Sequence, residues 1–430
     1  MSICTREISL EILNLIYNGI TFDEALVKVE NWAKLDARDK SFVKMIILTL
    51  IRRNIEIDLI LSNYVKYIPR DFVTNILRIG ITQILFLRIP EYSAVNISAN
   101  LVKKRKKNLT NFVNAVLRQI CRDKEKLISN LHIQKNIPQW IFSNWKKSFG
   151  IDLAQKFANQ CLKEPYLDIN IKKNEFSLKN WSNALNGKNL FGEIVRKKNT
   201  GSIEDLSNYS DGKWWIQSAS ASVPVNIICN YFEKINYCKT NILEVGAAPG
   251  GKTTQLCDNK FNVTALDISL KRIDRLKKNL KRVNYNAEIL NIDINKWKTK
   301  RKFDCILIDA PCSATGIINK KPEILIHKKN LDLSNLQRKQ KNILHSSSKL
   351  LIENGLIIYV VCSLIAEEGI NQILNFLERN KEFKLLKLDN KLLNNIKVNI
   401  NNGMAYITPI CYELQGGMDG FFIACLIKQK

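Results

Sequence analysis

The sequence predicts an all-α bundle, a small α+β connector and an α/β domain, which we place at residues 1–140, 141–215 and 216–430. Three observations predict this order. Twelve of the 17 glycines follow residue 200, where turns between short strands and helices need them. Apolar residues before residue 140 recur at helical spacing, whereas short apolar runs alternate with amphipathic segments after residue 216. A chain of 430 residues is also long enough for two or three domains.

Residues 1–140 read as a series of helices. Thr21 and Glu24 have the spacing of a capping box at the start of one helix. Asp36 and Asp39 can begin the next helix, which carries FVKMIILTLIRR. In the segment NFVNAVLRQICR, the apolar residues would lie on one face of a helix: Phe112, Val113, Val116, Leu117 and Ile120. We therefore expect a helical bundle in this part of the chain.

The connector and the last domain contain strand patterns. YLDINIKK and LFGEIVRKK read as strands of the connector, with a short helix between them. From residue 216 the predicted strands are NILEVG, VTALDIS, AEILNID, FDCILIDAPC and GLIIYVVCSL, with helices between them. This alternation indicates a parallel, doubly wound sheet of the Rossmann type, with its ligand at the carboxyl ends of the strands. Near the end of the chain we expect a hairpin around Asp419-Gly420.

The net charge of +26 indicates a polyanionic partner, most simply nucleic acid. Basic residues cluster in KKRKKN at 103–108 and in the predicted helix at 271–282. The alternative is compositional drift, in which each cluster is a solvated face, because lysine is abundant throughout the chain. RNA is the partner that we expect, and the 103–108 cluster is the better placed of the two to meet it.

Several classes of protein are not favoured by the sequence. The chain has three histidines and no C-x-x-C, so neither a zinc site nor a histidine-based triad is indicated. The start, MSICTREISLEIL, lacks the charged and then apolar pattern of a secretion signal, and no apolar run is long enough to span a bilayer. We expect a cytoplasmic monomer with reduced thiols, no metal and no membrane association.

The segment GAAPGGKT at 246–253 matches the P-loop pattern of nucleoside triphosphatases. It also suits the first turn of a domain that binds a nucleoside cofactor without phosphates. Glu244 precedes the loop and Pro249 removes one N–H, and both disfavour a phosphate cradle. The next two strands end in Asp267 and Asp293, where a nucleoside cofactor would meet its acids. S-adenosylmethionine, which is cationic at sulfur, fits this acidic crevice better than a triphosphate.

Two cysteines are predicted at the ends of adjacent strands. Cys312 follows Asp309 in the loop after one strand, and Cys362 ends the next strand. A buried thiol is often only a small apolar group, but two thiols beside a cofactor loop suit a particular reaction. A thiolate that adds to C6 of a pyrimidine makes C5 nucleophilic enough to accept a methyl group. Asp309 is the nearest acid that could assist the addition.

With these residues the chain resembles the RNA cytosine-C5 methyltransferases, and in particular the bacterial small-subunit rRNA enzymes of the Sun/Fmu type. FVNAVLR at 112–118 is similar to the signature of the NusB-like domain that precedes the catalytic domain in these enzymes. The catalytic motifs follow in the family's order: WWIQSASAS at 214–222, GAAPGGKT at 246–253, DAPCSATG at 309–316, CS at 362–363 and GGMDGFF at 416–422. The resemblance covers nearly the whole chain.

The resemblance implies a function and a set of site residues. The reaction would be S-adenosylmethionine-dependent methylation of a cytosine C5 in 16S rRNA, before or during assembly of the small subunit. Cys362 would be the nucleophile, and Cys312 would assist resolution of the covalent adduct. The residues that would hold S-adenosylmethionine are Gly246, Ala247, Ala248, Pro249, Gly250, Gly251, Lys252, Asp267, Asp293 and Asp309.

Some positions differ from the family pattern. Gly246 stands where the family usually has Cys, and Ser218 stands where it usually has Asp. Val361 replaces a usual Thr, and Gly369 replaces a usual Asn. After the Cys312 loop the family has a pair of arginines, whereas this chain has Asn319, Lys320 and Lys321. Two other functions keep part of the pattern: a P-loop NTPase that acts on RNA, and a non-catalytic RNA-binding factor. Within the enzyme, the roles of Cys312 and Cys362 could also be exchanged.

Overall fold

A computed structural model describes residues 4–66, 72–87, 89–131, 133–173, 177–198, 201–235 and 240–429. The chain forms two compact units. The first, which we call the helical unit, contains residues 1–142 and 318–328. The second, which we call the catalytic unit, contains residues 143–317 and 329–430.

The helical unit is all-α in its described part, as the sequence predicts. Its main helices are α1 (Thr5–Tyr17), α2 (Phe22–Lys28), α3 (Ala37–Arg52), α4 (Asn54–Ser62), α5 (Phe72–Leu85), α6 (Glu91–Arg105), α7 (Thr110–Arg122) and α8 (Lys124–Ser129). Asp36 caps α3 by accepting a hydrogen bond from the Asp39 N–H at 2.7 Å. At α2 the Thr21 side chain makes no bond to the helix backbone, as the expected capping box would require; its hydroxyl donates instead to the Glu24 carboxylate at 2.9 Å.

The core of the helical unit comes from the apolar faces of these helices. The predicted face of α7 is buried at Val113, Val116, Leu117 and Ile120, and Phe112 packs against the same core. Burial of such aliphatic side chains stabilises each by about 1.5–3 kcal/mol.

Residues 318–328 belong to the helical unit although they lie far along the chain. They include one helical turn, Ile324–His327. Arg52 donates to the carbonyl of Asn319 at 3.0 Å, and Nε2 of His327 lies 2.6 Å from the carbonyl of Ile16. The helical unit is therefore built from two separate stretches of sequence.

The catalytic unit begins with helices α9 (Gln139–Phe149, whose first residues lie in the helical unit's range) and α10 (Ile151–Cys161). A four-stranded antiparallel sheet follows, in the order β2-β3-β1-β4. Its strands are β1 (Tyr166–Ile171), β2 (Lys188–Asn189), β3 (Ile194–Lys198) and β4 (Trp214–Ile216), and α11 (Leu178–Ala184) packs beside them. A buried ion pair between Arg196 and Asp168, at 2.6 Å, ties β3 to β1. This is the predicted α+β connector.

The rest of the catalytic unit is a nine-stranded sheet with helices. The strands are β5 (Asn241–Val245), β6 (Asn262–Leu266), β7 (Glu288–Leu290), β8 (Phe303–Asp309), β9 (Leu351–Val361), β10 (Phe383–Leu386), β11 (Asn399–Asn401), β12 (Met404–Ile407) and β13 (Phe421–Lys428). The helices are α12 (Ala219–Lys234), α13 (Gly251–Asp258), α14 (Leu270–Arg282), α15 (Leu333–Ser348) and α16 (Ile370–Arg379).

The sheet order is β11-β12-β13-β9-β8-β5-β6-β7, with β10 on β13. Strands β9, β8, β5, β6 and β7 are parallel, as predicted, while β10 to β13 pair antiparallel and make the sheet mixed. The direction of winding changes between β5 and β8. Ligands of such sheets bind at this switch point, beyond the carboxyl ends of the strands. The loops after β5, β8 and β9 all open there.

The predicted tight hairpin at Asp419-Gly420 is wrong. Strands β12 and β13 do pair antiparallel, but residues 408–420 connect them. The reason is that Gly420 has another partner: its N–H donates to the carbonyl of Gly316 at 2.7 Å. The Asp-Gly pair therefore packs against the loop after β8 instead of turning the chain.

Candidate active site

The loop after β5 uses its own backbone donors internally. Pro249 has no N–H, and the other four N–H groups between residues 246 and 250 all have acceptors. The acceptors are the Leu266 carbonyl for Gly246 and Ala247, the Asp267 carboxylate for Ala248, and the Ala247 carbonyl for Gly250. A P-loop holds phosphates by N–H groups that point outward, so this loop lacks the main feature of a triphosphate cradle.

The two side chains that complete a P-loop are also engaged elsewhere. Nζ of Lys252 lies 2.7 Å from Oδ2 of Asp309, and the Thr253 hydroxyl donates to Glu244 at 2.6 Å. In a triphosphatase these groups would hold the γ-phosphate and magnesium. The geometry therefore excludes the P-loop interpretation. The segment GAAPGGKT matches the P-loop sequence pattern without adopting the P-loop structure.

Close packing of the loop explains its first glycine. Gly246 has a φ of +82°, and a Cβ at this position would lie 2.5 Å from the carbonyl oxygen of Asp309. A side chain would thus be strained and would press on the end of β8. Gly250, the N-cap of α13, has a φ of +104°. Both glycines let the loop lie directly against its neighbours.

The predicted acids lie along this edge of the sheet. Glu244 is 1% exposed, and burial raises its pKa to about 7. Asp267 follows β6 and accepts from the backbone N–H groups of Ala248 and Ser269, at 3.1 and 2.9 Å. Asp293 lies three residues beyond the end of β7, is half-buried and accepts from the N–H of Asn295 at 2.9 Å.

These features fit a nucleoside cofactor that carries a positive charge and no phosphate. The loop offers no spare N–H for an anion between residues 246 and 250, and carboxylates lie on both sides of it. Ile268, next to Asp267, is 74% exposed and offers apolar surface of the kind a base would cover. S-adenosylmethionine has the chemistry that these residues require.

Lys252 and Asp309 form a partly buried ion pair with side-chain exposures of 9% and 30%. Burial alone would lower the pKa of Lys252, but the carboxylates of Asp309 and Glu244 and the negative charge of Cys362 raise it above its ordinary value. The lysine is therefore a fixed cation on the cysteine side of the crevice. The sequence predicts that Lys252 and Asp309 both contact the cofactor. The structure shows in addition that the two side chains form an ion pair with each other.

The two predicted cysteines meet. β8 and β9 are parallel neighbours, with Asp309 opposite Val360, and the Sγ atoms of Cys312 and Cys362 lie 3.4 Å apart. Both thiols are free and half-buried. The hydrogen bond with Cys362, then burial, then the charges of Cys362 and Glu368 raise the pKa of Cys312 well above its ordinary value. Cys312 therefore holds its proton more tightly than an ordinary cysteine does.

A set of polar groups behind the cysteines was missed by the sequence reasoning. Glu368 is fully buried and accepts from Ser313, which follows Cys312, and from Gln340 on α15. Ser363, which follows Cys362, contacts Ser313 at 3.2 Å. The only signal was an acid just before α16, which reads as an ordinary helix N-terminus.

Basic residues on the two candidate RNA surfaces are partly used within their own units. On α14, Ile273, Leu276 and Leu280 are buried, and Arg282 donates to the carbonyls of Tyr209 and Trp214. In the 103–108 cluster, Lys104 pairs with Glu7 at 3.1 Å. The other side chains of this cluster are exposed.

The described residues contain neither a cluster of metal ligands nor a helix that could span a membrane. The described ranges hold no group of three or more His, Cys, Asp or Glu side chains that could hold a metal ion. Nor does any helix in them combine the length and apolar character needed to cross a membrane.

Comparison with known proteins identifies the family. The profile of 16S rRNA methyltransferase RsmB/F matches residues 236–427, and that of the NusB family matches residues 4–122. Ribosomal RNA small subunit methyltransferase B of Photorhabdus laumondii is 30% identical over 373 residues, covering 82% of each chain. The protein of the same name from Shigella boydii is 27% identical over 421 residues, covering 92% of each.

Solved structures support the fold. The crystal structure of PH0851 matches with a TM-score of 0.74 and 22% identity and covers 100% of each chain. NSun6 from Pyrococcus horikoshii, crystallised with SFG, matches with a TM-score of 0.55 and 20% identity over 68% of this chain and 98% of its own. The solved structures confirm the predicted fold class, and membership of the methyltransferase family confirms the predicted cofactor, S-adenosylmethionine. The chain is a methyltransferase that belongs to the RsmB/F family and carries a NusB-like domain at its N-terminal end.

Proposed function

We propose that the protein methylates C5 of a cytosine in 16S rRNA through a covalent adduct between Cys362 and C6 of the base. The observation that carries this proposal is the pair of thiols 3.4 Å apart at the carboxyl ends of β8 and β9, beside the switch point of the sheet. Methylation of an exocyclic amine or of a ribose hydroxyl requires no thiol. Covalent addition to a pyrimidine requires one thiolate to attack and a second group to move a proton.

The cofactor would lie along the loop after β5. Residues 246–251 would form its floor, with Asp267 and Asp293 as acceptors for its hydroxyl and amino groups. When bound, S-adenosylmethionine supplies an electrophilic methyl group on a sulfonium. Glu244 is buried and accepts a hydrogen bond from Thr253, so it would support this floor rather than contact the ligand.

Cys362 would attack C6. Two neighbours lie close to its sulfur: the positive charge of Lys252 interacts with the charge of Cys362, and Sγ of Cys312 lies 3.4 Å from its Sγ, with either sulfur able to donate. Addition at C6 places negative charge on the pyrimidine ring and makes C5 nucleophilic. Lys252 is positioned by Asp309 and would stabilise that charge by donating a hydrogen bond to the ring.

Cys312 would act after the addition. Once the sulfur of Cys362 is bonded to carbon, it no longer carries the charge that holds the proton on Cys312. After C5 has accepted the methyl group, Cys312 releases its proton to solvent, and its thiolate takes the remaining proton from C5. The electron pair of the C5–H bond forms the C5–C6 double bond, the C6–S bond breaks, and Cys362 leaves as a thiolate. The base leaves with the methyl group on C5, and the two cysteines return to their starting protonation states.

Single cysteine variants test this assignment. With a 16S rRNA fragment and S-adenosylmethionine, Cys362→Ala should form no covalent RNA adduct, while Cys312→Ala should accumulate one that survives denaturing electrophoresis. Cys229→Ala, a half-buried thiol on α12, is the matched control and should behave as the wild type. The reverse pattern would make Cys312 the nucleophile. An absence of both adduct and methyl transfer in the wild type would leave only a non-catalytic RNA-binding factor.

We also propose that the 103–108 cluster of the helical unit binds RNA phosphates. Lys103 and Lys107 are exposed, whereas Lys104 already pairs with Glu7. A Lys103→Gln/Lys107→Gln variant of the full chain should weaken RNA binding and lower the salt slope by roughly 0.7 for each lost contact to a single strand. An unchanged slope would exclude this surface. Because the target base must be reachable, we expect the substrate to be 16S rRNA before or during assembly of the small subunit.

A further inference from the structure

Glu368 is a fully buried carboxylate just before α16. Its Oε1 accepts from the N–H of Ser313 at 2.8 Å, and its Oε2 accepts from the hydroxyl of the same residue at 2.5 Å. Gln340 on α15 donates to Oε1 at 3.2 Å. Among the described residues, Glu368 makes no ion pair with a Lys or Arg side chain, and the groups that donate to its oxygens are neutral.

These bonds hold the backbone on both sides of Cys312. Ser313, on the C-terminal side, is fixed by two bonds to Glu368. Pro311, on the N-terminal side, accepts from Gln340 at 3.0 Å, and the same amide nitrogen donates to Glu368. The Cys312 main chain therefore cannot shift without breaking one of these contacts.

The same network reaches the loop of Cys362. The Ser363 hydroxyl lies 3.2 Å from that of Ser313 and 3.0 Å from that of Thr315. The Tyr359 hydroxyl on β9 donates to the main-chain carbonyl of Glu368 at 2.8 Å. Both cysteine loops are thus tied to one buried acid, and the 3.4 Å contact between the thiols depends on this arrangement.

A neutral amide could fill the same space at lower cost. An ionised carboxylate without a cation loses several kcal/mol on burial, even when donors satisfy its oxygens. Glu368 accepts two bonds from Ser313, one on each oxygen, and only a carboxylate can accept on both. Its charge is also one of the causes that raise the pKa of Cys312, after the hydrogen bond with Cys362 and burial.

On the basis of the proposed function, we propose that Glu368 is a positioning residue for release of the adduct. It holds the thiol of Cys312 against Cys362, and its charge is one of the contributions to the pH at which Cys312 gives up its proton. It touches neither substrate nor cofactor. The residue would therefore affect release of the methylated base more than formation of the adduct.

The test compares Glu368→Gln with the wild type and with Glu353→Gln, which removes the same charge at an exposed position near the start of β9. Adduct formation and adduct release are measured separately in single turnovers on a 16S rRNA fragment, across a range of pH. For Glu368→Gln we expect near-normal formation, release slowed roughly tenfold or more, and a lower pH midpoint for release. Glu353→Gln should match the wild type.

Ser313→Ala provides a second, milder variant. It removes the hydroxyl that links Glu368 to Ser363 but keeps the backbone bond. It should slow release less than Glu368→Gln without moving the pH midpoint, because the carboxylate remains. It also carries the test if Glu368→Gln does not fold.

The outcomes separate the two proposals. Release in Glu368→Gln at the wild-type rate and midpoint would refute the role of Glu368 alone. A variant that loses formation and release equally, with no change in midpoint, would show that Glu368 only supports the fold. If the wild type formed no adduct, the proposed function would be refuted, and the role of Glu368 with it.

Discussion

Replacement of Glu244 by glutamine should make the protein more stable at neutral pH. The carboxyl is 1% exposed, and its oxygen accepts from the Thr253 hydroxyl at 2.6 Å. Burial raises its pKa from 4.5 to about 7, although the bond from Thr253 and the charge of Lys252 act in the opposite direction. Glutamine has the same shape and keeps an oxygen for Thr253. The variant therefore resembles the protonated wild type.

The magnitude follows from the two pKa values. One pKa unit corresponds to about 1.4 kcal/mol, so a rise from 4.5 to about 7 costs the ionised folded state about 3 kcal/mol. Below about pH 4.5 both folded and unfolded states bind the proton, and the carboxyl makes no difference. As the pH rises from there to about 7, only the folded state keeps the proton, so the free energy of unfolding falls. Above about pH 7 the folded state carries the full penalty of about 3 kcal/mol for the ionised carboxyl.

Urea unfolding at several pH values, followed by tryptophan fluorescence, measures this effect. The difference in free energy of unfolding between Glu244→Gln and the wild type should be near zero at about pH 4.5 and grow to about 3 kcal/mol at about pH 8. Glu353→Gln, an exposed change of the same kind, should show no such trend. A difference that stayed flat with pH, or a variant that was less stable at pH 8, would refute the reasoning.

Three further changes test the packing and the charges of the site. Gly316→Ala would place a Cβ 1.9 Å from the carbonyl oxygen of Gly420. Thermal unfolding should therefore show that the free energy of unfolding falls by about 3 kcal/mol or more. An unchanged melting temperature would contradict this. Lys252→Met removes the cation beside Asp309. The rate of methyl transfer should fall about 100-fold, while the cofactor affinity measured by calorimetry should stay within a few-fold of the wild-type value. A large loss of cofactor affinity with a nearly unchanged rate would instead make Lys252 a cofactor ligand. Asp267→Asn removes the acceptor for one of the two backbone N–H groups that Asp267 holds. Binding of S-adenosylmethionine should weaken at least tenfold, or about 1.4 kcal/mol. Equal affinity in the variant and the wild type would exclude a role for Asp267 in holding the cofactor.

The sequence was sufficient for the parts of the site that depend on strand order. Parallel strands end at one edge of a sheet, so Asp267, Cys312 and Cys362 could be assigned to one crevice from the pattern of strands and loops alone. The helices of the first unit were equally accessible, since the spacing of Val113, Val116 and their neighbours already defines a buried face.

Other features depend on contacts between residues far apart in sequence. Whether GAAPGGKT could cradle a phosphate was decided by hydrogen bonds to Leu266 and Asp267, which belong to the next strand and its loop. The Asp419-Gly420 turn was mispredicted because its partner, Gly316, lies about 100 residues earlier. Glu368 gave no local signal, since its donors come from two other segments of the chain.

The two-part construction of the helical unit has a consequence for synthesis of the chain. Ile324 and Leu325 are buried, and the carbonyls of Ile16 and Asn319 find their partners only when residues 318–328 are in place. A domain that is continuous in sequence can fold as soon as it leaves the ribosome, before later domains are made. Here the first unit is complete only once residue 328 has been made, when four of the nine strands of the large sheet have already been translated. A fragment that ends at residue 142 would lack the segment that completes the unit.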